Sequence, residues 1–143
     1  RMIHYPPQEI VADDEFGSAA HTDGGFVTLL AQAQVPGLGV RLASGEWADA
    51  PVVPGAFLVN TGDLLARWTN DRFLSTQHRV INRSGTDRYS VAFFCNPSLD
   101  TLVEVPPTCI SSVRPARYAP IRYLDYYEQT RFQYAPATAA SAT

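Results

Sequence analysis

A chain of 143 residues is one domain, long enough to bury a core and too short for two. With 45% of its residues hydrophobic and no apolar run of about 18, it carries no signature of a membrane-spanning helix. A net charge of −3 without a basic cluster argues against a nucleic-acid surface, so the expected partner is a small molecule, with no nucleic acid and no membrane.

In chain order, Arg1 to Tyr5 reads as a strand. AHTDG follows at 20–24, and if it is extended, His21 and Asp23 at i and i+2 point to the same face. Short runs rich in β-branched and aromatic residues come next: FVTLLAQ at 26–32, LGVRL at 38–42, AFLVNT at 56–61, STQHRVIN at 75–82 and RYSVAFFC at 88–95. Turn pairs separate them: Gly24-Gly25, Pro36-Gly37, Ser44-Gly45, Pro54-Gly55, Asn70-Asp71, Ser84-Gly85 and Asn96-Pro97. ASGEW marks a tight hairpin, with a strand restarting at Trp47. Evenly spaced short strands predict a mainly β sandwich, jelly roll or barrel, with helical periodicity nearly absent. The exception is Pro120 to Tyr134, where Leu124, Tyr127, Arg131 and Tyr134 recur at helical spacing and predict one amphipathic helix covering a sheet face. The last residues, 135–143, hold no large apolar side chain and read as a disordered tail. Cys95 and Cys109 make no disulfide framework; they are expected to be buried or inert thiols in a reducing, cytoplasmic setting.

His21, Asp23 and the distant His78 could together give two imidazoles and one carboxylate to one face of an octahedral ion. That facial set leaves three positions open and marks non-heme Fe(II) oxygenases. Singly, each residue has a plainer explanation: Asp23 can make an Asx turn, and His78 can be a strand histidine. Alternation then sends Arg88 and Ser90 to the face opposite Tyr89. An arginine on the inner face of an apolar strand is costly unless it meets an anion, and its planar fork suits a carboxylate; otherwise it is an edge-strand arginine in water.

Taken together, His21-Thr22-Asp23, His78-Arg79-Val80 and Arg88-Tyr89-Ser90 resemble the signature of the 2-oxoglutarate and Fe(II)-dependent dioxygenases, in the isopenicillin N synthase-like branch. GFVTLL, PGLGVRLASGEW and PGAFLVNTGDLLARWTNDRF fit the same resemblance, which runs from about Arg1 to Pro107. It implies a double-stranded β-helix, a jelly-roll barrel, over residues 1–107; residues 108–134 then form a C-terminal extension that holds the helix expected from spacing. It implies His21, Asp23 and His78 as catalytic iron ligands. Arg88 and Ser90 would hold the distal carboxylate of 2-oxoglutarate, with Tyr5 and Asn60 also at the cosubstrate and pocket. At Ile3-His4 the sequence departs from the family's usual Asn-Tyr; His4 reads as a strand residue rather than a ligand.

Fe(II), 2-oxoglutarate and dioxygen are the implied cofactors. The implied reaction hydroxylates, desaturates or cyclises a small organic substrate and releases succinate and carbon dioxide. Arg67, Trp68, Phe94 and Asn96 are candidates to face the substrate, and an N-terminal region preceding Arg1 is expected to pack against the barrel. Two rival readings stay open at this stage. One is an isopenicillin N synthase-like oxidase that turns the Arg-Ser pair on its substrate and needs no 2-oxoglutarate; the other is a non-catalytic barrel that binds a ligand or partner.

Overall fold

The structure, a computed structural model, describes residues 1–7 and 17–131. The tail expected over 135–143, and Tyr134 of the expected helix, lie outside those residues.

Eight strands make the barrel: Met2–Tyr5 (β1), Ser18–His21 (β2), Val27–Gln32 (β3), Leu38–Arg41 (β4), Trp47–Asp49 (β5), Phe57–Thr61 (β6), His78–Val80 (β7) and Arg88–Cys95 (β8). They pair antiparallel in two four-stranded sheets, ordered β1-β8-β3-β6 and β2-β7-β4-β5. Apart from the β4–β5 hairpin, each successive strand changes sheet. This is the mainly β, double-stranded β-helix that the resemblance implied.

Side-chain chemistry explains the strands. β8 alternates buried Arg88, Ser90 and Ala92 with exposed Tyr89, Val91 and Phe93, the period of a sheet with one face turned inward. Turn positions fall where the turn pairs sit, with Asn70 and Asp71 at φ 55° and 59°, a left-handed conformation that these side chains tolerate better than most. Inside the barrel, Tyr5, Leu38, Ala50 and Val80 form a buried cluster joined by Ile3, Leu30, Val40 and Leu58.

Two helical features differ from expectation. A helix absent from the sequence reading, Asp63–Trp68 (α1), follows β6 directly. The C-terminal helix spans Tyr123–Thr130 (α2), shorter than 120–134, because Ile121–Arg122 (β10) pairs with Leu102–Val103 (β9) just before it. Its buried residues are Tyr123 and Tyr126, whereas Tyr127 is exposed. It therefore packs with Leu64 of α1, Val103, Phe26 and Trp68 in a second apolar cluster rather than over a face of either four-stranded sheet. Both cysteines are free thiols, with Cys109 buried. Among the described residues no helix is long and apolar enough to cross a membrane.

Candidate metal centre

His21 closes β2, His78 opens β7, and the two are register partners. Their rings therefore meet, with centroids 4.3 Å apart. Asp23 lies two residues beyond His21, and one ligand atom from each of His21, Asp23 and His78 falls within 4.8 Å of the others. His78 Nε2 stands 3.9 Å from Asp23 Oδ1, in side chains only 14% and 11% exposed. His21 Nδ1 lies 2.7 Å from the Ala19 carbonyl and His78 Nδ1 lies 3.0 Å from the Thr76 carbonyl. A carbonyl can only accept, so each Nδ1 is placed to donate, which in a neutral ring leaves Nε2 presenting a lone pair. Two imidazole lone pairs and a carboxylate thus converge on one point, which suits a divalent transition metal.

The loop that carries Asp23 is gripped from several sides. The first backbone N–H groups of α1 have no partner within the helix, and they donate outward: Asp63 N to the Asp23 carbonyl at 2.8 Å, Leu64 N to the Gly25 carbonyl at 3.0 Å. Asn96 Oδ1 accepts from Phe26 N at 3.0 Å, and the Tyr126 hydroxyl donates to the Gly24 carbonyl at 3.2 Å. Asp23 Oδ2 accepts from Thr28 Oγ1 at 2.6 Å and from Asn60 Nδ2 at 2.8 Å.

Arg88 is 1% exposed and stands opposite Tyr5 in the β1–β8 ladder. Its guanidinium lies over the Tyr5 ring, 4.9 Å from the centroid, and Nη2 donates to Gln32 Oε1 at 3.3 Å. Nε and Nη1 are buried without a hydrogen-bond partner among the described residues. Burial lowers the pKa of Arg88 from its ordinary value, against an opposing pull from the Tyr5 phenol. Ser90, 3% exposed, is two positions along the same inner face. A cation so placed is costly to bury unless an anion arrives.

One cavity of about 700 Å³ unites these groups: Tyr5, His21, Asp23, Asn60, His78, Arg88 and Ser90 all line it. Phe94 and Asn96 line it too. Arg67 and Trp68 do not, because Arg67 donates to the Ala119 carbonyl at 2.8 Å and Trp68 meets Phe26 edge-on in the second cluster. His4 points away, bonded to Asp87 at 2.6 Å and stacked on Tyr89. A smaller groove of about 290 Å³ beside Trp47 and Arg79 contains none of the metal donors. Sequence reasoning missed Thr28 and the helix residues Tyr123, Tyr126 and Tyr127, which line the large cavity. The signal for Thr28 was a hydroxyl on the inner face of β3, at the alternation that also turns Leu30 inward.

Comparison with known proteins follows the same line. The family model for the 2OG-Fe(II) oxygenase superfamily matches residues 1–97. The "2-oxoglutarate-Fe(II) type oxidoreductase hxnY" of Emericella nidulans is 45% identical over 128 residues, covering 87% of this chain and 37% of its own length. "Gibberellin 2-beta-dioxygenase 6" of Oryza sativa subsp. japonica is 43% identical over 103 residues, covering 72% of this chain and 28% of its own. The crystal structure of a full-length Neurospora crassa protein in complex with alpha-KG superposes with a TM-score of 0.84 at 34% identity, covering 90% of this chain and 45% of that one. The chain thus spans less than half the length of each of these proteins.

Proposed function

Since this chain belongs to the 2OG-Fe(II) oxygenase superfamily, we propose that it is the catalytic barrel of a 2-oxoglutarate-dependent dioxygenase acting on a small organic substrate. The observation that carries the reading is the pairing, in one cavity, of the His21-Asp23-His78 cluster with a buried guanidinium that has two unpartnered nitrogens. When bound, Fe(II) with 2-oxoglutarate and dioxygen supplies the oxidising chemistry, which releases succinate and carbon dioxide and leaves the substrate hydroxylated, desaturated or cyclised.

The chain's own residues do the rest. His21 and His78 would hold the metal through Nε2 and Asp23 through a carboxylate oxygen, a three-donor set that would leave positions for small ligands. Arg88 pairs with the distal carboxylate of 2-oxoglutarate through its unpartnered nitrogens, and Ser90 donates its hydroxyl beside it. Tyr5 packs beneath the guanidinium and keeps its plane fixed. Leu30, Leu38, Val40, Leu58 and Val80 wall the inner end and exclude water, which strengthens the charge pairing. Phe94, Asn96 and Tyr127 stand at the same cavity, where a substrate would meet the protein.

Two further proposals concern the setting. The outer face of the β1-β8-β3-β6 sheet carries Met2, Val91, Phe93, Phe57 and Val59, all exposed; we assign it to a region N-terminal to this barrel in the whole enzyme. The free thiols of Cys95 and Cys109 support a cytoplasmic location. The rival binding-domain reading draws no support from relatives named as 2-oxoglutarate enzymes. Candidate substrates, incubated with the chain, Fe(II), 2-oxoglutarate and air, should release succinate in step with substrate loss; substrate oxidation without succinate would overturn the 2-oxoglutarate assignment.

A further inference from the structure

Thr28 and Asn60 are register partners across β3 and β6, so both side chains project from the same inner face. Both are buried, at 5% and 8% exposure, and both donate to the same atom, Asp23 Oδ2, at 2.6 and 2.8 Å. A carboxylate oxygen has about two lone-pair directions, and these two donors fill them. The other oxygen, Oδ1, is the one turned toward His78 Nε2 at 3.9 Å.

We infer that Thr28 and Asn60 are positioning residues that hold Asp23 to single-oxygen coordination. The inference rests on the iron-site reading above. A carboxylate that bound through both oxygens would take one of the three open positions, and two of those are needed for a chelating 2-oxo acid and one for dioxygen. With Oδ2 saturated from within the protein, Asp23 occupies one position only. Both act through Asp23.

The test uses the full chain under anaerobic conditions, with Fe(II) affinity measured first and 2-oxoglutarate then titrated at saturating Fe(II), followed by its visible charge-transfer band. Thr28→Val keeps the shape and removes the donor; Thr28→Val/Asn60→Leu removes both. We expect Fe(II) affinity to fall by roughly 10- to 100-fold. The 2-oxoglutarate midpoint should rise in the same variants, and Thr28→Ser, which restores the hydroxyl, should titrate as wild type. Circular dichroism and melting of each variant report folding separately. If Thr28→Val and the double variant melt lower but bind Fe(II) and 2-oxoglutarate as wild type does, the two residues serve only the fold and the inference is overturned. Fe(II) binding by the wild type that is indifferent to His78→Ala would instead overturn the iron-site reading beneath it.

Discussion

Arg88, 1% exposed and with two guanidinium nitrogens unpartnered, has left water without meeting a counter-ion among the described residues. That arrangement makes Arg88 a liability to the fold and, under the proposed function, an asset to binding, and the two effects can be separated. Arg88→Leu should raise the 2-oxoglutarate dissociation constant by about 30-fold or more, since an unpaired buried carboxylate costs roughly 2 to 5 kcal/mol. The same variant should melt no lower than wild type without ligand, because a leucine removes the unmet charge. A melting temperature well below wild type, with unchanged 2-oxoglutarate affinity, would recast Arg88 as a structural residue. At this scale the sequence was informative wherever alternation alone decides which way a side chain faces: Arg88 and Ser90 both lie on the buried face of β8. It was silent where a contact depends on register between strands. The sequence reading set Asn60 at the pocket near the metal, and it lines that cavity; that its amide meets Asp23, a partner Thr28 shares because β3 and β6 pair as they do, is a matter of register.

Between the strands, α1 sets the height of the Asp23 loop, and Gly62 is the point of contact. A Cβ at Gly62 would sit 2.2 Å from the Gly25 carbonyl oxygen and 2.7 Å from that of Asp23. Backbone cannot yield as a side-chain tip does, so Gly62→Ala should destabilise the chain by about 1 to 3 kcal/mol through overpacking. Because the loop it displaces carries Asp23, Fe(II) affinity should fall with it. Thermal melting and anaerobic Fe(II) titration check this together, and an unchanged melting temperature would contradict it. The helix itself escaped sequence reading for a physical reason: six residues, Asp63–Trp68, are under two turns and show no sustained period. Its traces were Asp63 in the first turn, Arg67 in the last, and the Leu64 and Trp68 pair at i and i+4, ended by the left-handed Asn70 and Asp71. For α2 the type was legible but the buried stripe was not, since Tyr123, Tyr126 and Tyr127 offer aromatic rings on overlapping faces and packing against Leu64 and Val103 selects the first two.

At the scale of the molecule, the two faces of one sheet have opposite fates. The inner face of β1-β8-β3-β6 carries Arg88, Ser90, Thr28 and Asn60 opposite the histidines of the other sheet; on the outer face Phe57 and Phe93 are 65% and 63% exposed. Register places Met2, Val91, Ala31 and Phe57 in one row across the sheet, with Phe93, Leu29 and Val59 in the next. A contiguous apolar surface of this kind marks an interface, so the chain in isolation should self-associate as its concentration rises. Phe93→Glu with Phe57→Lys should shift light-scattering masses toward monomer while leaving Fe(II) affinity within about twofold, because both positions face away from the cavity. A wild type that stays monomeric at high concentration would count against an uncovered face. The strand series and the jelly-roll class were readable from spaced turns and β-branched runs, whereas the exposure of this face depends on what packs against it, which no run of residues within the barrel encodes. The central claim is that one iron and one 2-oxoglutarate meet in the cavity through His21, Asp23, His78 and Arg88. Anaerobic titration of the Fe(II)-loaded chain with 2-oxoglutarate tests it most directly: we predict a visible charge-transfer band saturating at one equivalent, abolished in His78→Ala and right-shifted in Arg88→Leu, whereas no band in the wild type, or the same band and midpoint in both variants, would contradict it.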